Sequence, residues 1–131
     1  MPTFRYDKLV RDNIPTFHAE AGHVAETRSL EGKELSAALI AKLHEEVDEV
    51  SSALSPEELL EEIADVWQVI DTLVALHGIT KVALGEMIAK KTAKKGAFSQ
   101  GYYIETVTMP NEDDEWVAYC RKSPEKYPEV R

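Results

Sequence analysis

The sequence predicts an all-α fold, an antiparallel bundle of four main helices with a minor two-stranded β element, completed by oligomerisation. Three observations carry that expectation. Apolar residues recur at helical spacing over most of residues 33–95. Start and stop residues punctuate that stretch: Ser55-Pro56 opens a helix, and Gly78 and Gly96 each follow the end of one. With 131 residues, of which 44% are hydrophobic, the chain holds one modest core, and a helical chain this short often completes its core by association.

The first helix is expected over residues 13–21, with Pro15 in its first turn and Gly22 as the stop. Residues 23–30 alternate and contain β-branched side chains, which suits a short strand. Helix two is placed over residues 33–53. Ser55 is its successor's N-cap, Pro56 the first helical position and Glu58 the returning carboxylate of a capping box. Helix three then runs to about residue 77. Thr80 caps helix four, which runs to Lys95. Residues 102–108, rich in Tyr, Ile, Thr and Val, read as a second strand pairing with the first. An acidic linker follows from Pro110, and the tail to Arg131 packs on the surface or on a neighbouring subunit. The helical domain is thus expected over residues 1–108, and the linker and tail over 109–131.

The net charge of -9 repels phosphate backbones and makes nucleic acid a poor partner. The same carboxylates suit hard cations. Cys120 is the single cysteine, so no intrachain disulfide is possible, in keeping with a reducing compartment. Neither a signal-like N-terminus nor a membrane-length apolar run is evident, and a cytoplasmic protein is expected.

Two helices carry acids where apolar residues belong. On a helical wheel Glu46 falls inside the apolar sector of helix two, and Glu49 at its edge one turn on. Glu62 lies between Val69 and Leu73 on the broad apolar face of helix three, with Asp65 at the edge. A carboxylate there is expensive unless paired. With about 1.5 Å of rise per residue, an antiparallel turn near Leu54 and Ser55 brings the two pairs level within roughly 3 Å. Four converging carboxylates repel one another, and a divalent cation is the usual remedy. Runs such as Glu57-Glu58 and Glu61, like Glu45 and Asp48, read as solvated faces. No Glu precedes a His by three residues, so a di-iron bundle site is disfavoured, and no EF-hand loop is present.

Glu45-Glu46-Val47-Asp48-Glu49 followed by Glu62-Ile63-Ala64-Asp65 resembles the EExxE…ExxD signature of the all-α nucleoside triphosphate pyrophosphatases. That superfamily includes MazG-like proteins, phosphoribosyl-ATP pyrophosphohydrolases and dimeric dUTPases. Residues Lys8-Leu9-Val10-Arg11-Asp12-Asn13-Ile14-Pro15 resemble the opening of a phosphoribosyl-ATP pyrophosphohydrolase-like branch, and Lys94-Lys95-Gly96-Ala97-Phe98 its basic close. The similarity spans about residues 6–100.

The resemblance implies hydrolysis between the α- and β-phosphates of a nucleoside triphosphate, with Mg²⁺ (Mn²⁺ as a substitute) on Glu46, Glu49, Glu62 and Asp65. Glu45 is the candidate proton acceptor, although its wheel angle suits a surface role about equally well. Arg11, Lys91, Lys94 and Lys95 are candidate phosphate contacts, the lysines against a simpler role as cations at a helix C-terminus. Asp12 either fixes Arg11 or caps the first helix. Trp67 is read as a core residue before a base-stacking one. His77 suits its helix end, and His18, His23 and His44 show no catalytic spacing. A homodimer or homotetramer is expected. Phosphoribosyl-ATP hydrolysis and a non-enzymatic helical interaction module are the alternatives to a house-cleaning nucleotide hydrolase.

Overall fold

The computed structural model describes residues 1–130, and within them all regular structure is helical, in the order α1 (Ile14–Glu20), α2 (Gly32–Ser52), α3 (Pro56–Leu76), α4 (Lys81–Lys95) and α5 (Glu115–Arg121). The expected helix boundaries lie within one or two residues of these. At the α2–α3 turn, Ser55 Oγ accepts from the Glu58 N–H at 3.1 Å. The Glu58 carboxylate returns to the Leu54 N–H at 2.9 Å, one residue before the cap. Thr80 Oγ1 accepts from the Ala83 N–H at 3.0 Å and opens α4. Gly78, with φ +71, supplies the left-handed conformation that closes α3 and turns the chain.

The two-stranded element is absent among the described residues. Residues 23–30 and 102–108 are each without regular structure. Their composition suits a strand, but β-propensity measures fit to a neighbouring strand, and neither segment has one. The tail carries an unexpected helix instead. Asp114 Oδ1 accepts from the Trp116 N–H at 2.9 Å and caps α5.

The chain divides into two compact units, Met1–Lys94 and Lys95–Arg131. Residues 95–108, assigned by sequence to the helical domain, belong with the second unit. The first unit is built on α2 and α3, the one helix pair that packs along its length. The start of α2 lies beside the end of α3, where Ser36 Oγ and His77 Nε2 are 3.0 Å apart. Lys81 reaches back from α4 to Asp71 at 3.8 Å, but among the described residues α4 packs along neither helix. The consequence is a thin core. Leu39 is the buried apolar residue, 2% exposed. Ile40, Val47, Leu59 and Ile63 are exposed. Trp67, expected in the core, is 68% exposed, because nothing else in the unit covers that face of α3. No single helix among the described residues is long and apolar enough to cross a membrane.

Candidate metal centre

The α2–α3 pairing sets the site. Glu46 points from α2 towards α3 and is buried, 8% exposed, in a unit where almost nothing else is. Opposite it, Glu62 and Asp65 stand one turn apart on α3, both half-buried. One carboxylate oxygen from each of Glu46, Glu62 and Asp65 lies within 4.8 Å of the others. Glu49 is exposed and stays outside that group. Its charge is still felt: partial burial, then Asp65, Glu49, Glu46 and Glu61 in turn, hold the Glu62 carboxyl above its ordinary range.

Cations surround the cluster unevenly. Lys42 Nζ lies 3.4 Å from Glu46 Oε1, on the same face of α2 one turn earlier. Arg11 reaches in from the segment before α1, with Nη2 2.5 Å from Asp65 Oδ1 and Nη1 donating to Gln68 Oε1. Asp65 and Gln68 are one turn apart on α3, so the guanidinium fork bridges them. Glu62 has no ion-pair partner among the described residues. The carboxylate of the cluster held above its ordinary range is therefore the one without an ion-pair partner.

Glu45 sits on the rim, with Lys8 Nζ at 3.3 Å and Lys42 Nζ at 3.4 Å. Burial pushes its carboxyl up, but the two ammonium groups outweigh that and leave it below its ordinary value. A carboxylate held that way is a weaker proton acceptor than the sequence suggested. Asp12 takes neither expected role. The N-cap position of α1 is Asn13, which makes no side-chain cap bond, and Arg11 is fixed by Asp65 and Gln68. Lys91, Lys94 and Lys95 are exposed and form no ion pair among the described residues. Nothing brings Lys91 or Lys94 to the carboxylates, because α4 leaves the hairpin after Gly78.

Three neighbours of the site escaped the sequence reading. Lys42 was legible, since it precedes Glu46 by four residues on one helix face. Gln68, three residues after Asp65, was legible in the same way. Lys8 carried no signal beyond its place in the N-terminal motif, because its contact spans 37 positions.

The donor set is chemically coherent for a hard divalent cation. It offers oxygen ligands only, two of them from a rigid i, i+3 pair, around a buried carboxylate. No protein-family model, curated protein or solved structure matches the chain.

Proposed function

We propose that the protein is a Mg²⁺-dependent nucleotide pyrophosphohydrolase, cleaving a nucleoside triphosphate between its α- and β-phosphates to a monophosphate and pyrophosphate. The observation that carries this reading is the meeting of Glu46, Glu62 and Asp65 across two helices, with an oxygen of each within 4.8 Å of the others. These three residues would hold the cation, with Glu49 one turn from Glu46 as the further ligand. Bound there, Mg²⁺ would neutralise triphosphate charge and lower the pKa of a coordinated water.

The chain's own groups have separable tasks. Buried Glu46, held by Lys42, fixes the inner wall of the site. Glu62 supplies the uncompensated negative charge that makes a dication favourable. Arg11 is the nearest donor for phosphate oxygens, its planar fork suited to them. Glu45 becomes a stronger proton acceptor once Lys8 moves off it.

We further infer that the exposed apolar face of α2 and α3 is covered by a second copy, giving a homodimer or homotetramer whose helices complete an antiparallel bundle. The support is Ile40, Val47, Leu59, Ile63 and Trp67, all exposed on the two helices that carry the site. Light scattering after size exclusion should give a mass at least twice the 14.7 kDa of the chain.

Pyrophosphate release, screened across nucleoside triphosphates and phosphoribosyl-ATP with Mg²⁺ and with chelator, tests the activity. Release that Mg²⁺ restores after chelation, and that Glu62→Ala abolishes, is expected. Turnover indifferent to chelator would refute the reading. Phosphoribosyl-ATP as the preferred substrate would assign the same chemistry to histidine synthesis.

A further inference from the structure

The segment before α1 lies across the carboxylate cluster. Lys8 holds Glu45 on α2, and Arg11 holds Asp65 and Gln68 on α3, so four residues of chain carry positive charge to both walls of the site. Leu9 faces α2 with Lys8, in a shallow hollow lined by Ala38, Ala41 and Lys42. Asp7, at the start of the strap, has φ 44, a left-handed conformation uncommon for a non-glycine residue. Both ion pairs are surface pairs: side-chain exposure is 54% for Arg11 and 44% for Lys8. Such pairs are weak and readily exchanged.

We propose that Lys8 and Arg11 form an electrostatic latch on the cluster, standing in for a divalent cation and released when one binds. Arg11 and a cation compete for the same Asp65 oxygen, so each weakens the other's hold, and the coupling is reciprocal. Release frees the Arg11 guanidinium for an anionic ligand and leaves Glu45 without Lys8. The metal then precedes the anion, and the strap prevents the anion clamp from engaging an empty site. This inference rests on the divalent-cation reading of the cluster.

The test uses Mn²⁺ alone as the probe, titrated calorimetrically into the full chain. Arg11→Ala should bind Mn²⁺ about two- to fivefold more tightly than wild type, the range for an exposed ion pair. Arg28→Ala removes the same charge from a pair with Glu34 on α2 and should leave the affinity unchanged. Arg11→Gln, which keeps a polar reach to Gln68, replaces Arg11→Ala if the latter loses its helical circular dichroism. Trypsin cleavage after Lys8 and Arg11 should accelerate in Mg²⁺. Mn²⁺ affinity unchanged or lowered by the Arg11 substitutions, or cleavage slowed by Mg²⁺, overturns the latch. Those outcomes leave the metal reading standing if wild type binds Mn²⁺ and Glu62→Gln weakens it. Wild type that binds no Mn²⁺ brings down both.

Discussion

Two sites in this chain, Arg121 with its carboxylates and the cluster around Glu62, handle acidic residues in opposite ways. In the second unit, Arg121 is held from both sides by near neighbours in sequence, Glu112 at 2.9 Å and Glu129 at 2.7 Å. That bonding draws the Glu129 carboxyl below its ordinary range and pushes Arg121 up. In the first unit, acids from two helices are gathered against one another, and the Glu62 carboxyl is driven up instead. The first site pairs each of its acids with one arginine, whereas the second pairs Glu46 with Lys42 and Asp65 with Arg11 and leaves Glu62 without a cation. The contrast is what the proposed cation site rests on: like charges gathered from two helices against one buried carboxylate.

The sharpest way to break that contrast is to remove the uncompensated acid. Glu62→Ala should lower Mg²⁺-dependent pyrophosphate release by about 100-fold or more. The chelated Glu62→Gln protein should melt at a higher temperature than chelated wild type, because the substitution relieves repulsion. A lower melting temperature would show that Glu62 is a structural acid. Leu39→Ala comes next. As the buried apolar side chain of the first unit, its loss should cost about 2–5 kcal/mol in denaturant titration. Ser55→Ala removes the cap that starts α3 and should cost about 1 kcal/mol.

The smallest effect follows from pH, and its sign differs between Glu62 and Glu129. Glu62 has a raised carboxyl in the folded state, so its contribution to stability without metal is whole below the ordinary value of 4.5. It is lost as pH rises through the raised value. Glu129 has a lowered carboxyl, so its contribution is whole above 4.5 and is lost as pH falls through the lower value. Amide exchange in chelator should show α3 around Glu62 loosening slightly as pH climbs above 4.5, and α5 loosening as pH drops below it. Identical pH responses at α3 and α5 would erase the distinction.

The parts of this architecture written in short-range sequence were legible. Ser55-Pro56 and Gly78 set helix boundaries through caps whose chemistry needs only adjacent residues. Glu46 and Glu62 stood out because helical periodicity alone places them among apolar neighbours. What escaped depends on distant partners. Residues 102–108 have strand composition, yet a strand forms only against another, and none is there. The cap at Asp114 was hidden inside the run Glu112-Asp113-Asp114-Glu115, where any of several acids can start a helix. Arg11 was singled out as an anion clamp, but its position against Asp65 joins residues 54 apart. Trp67 looked like core because its helix is apolar, while burial depends on what else arrives to cover it.

The most direct measurement is anomalous diffraction from crystals grown with Mn²⁺. A peak bonded to oxygens of Glu46, Glu62 and Asp65, with Arg11 swung away from Asp65, is the expected result. Those carboxylates free of any ion at saturating Mn²⁺, with Arg11 still seated on Asp65, would contradict it.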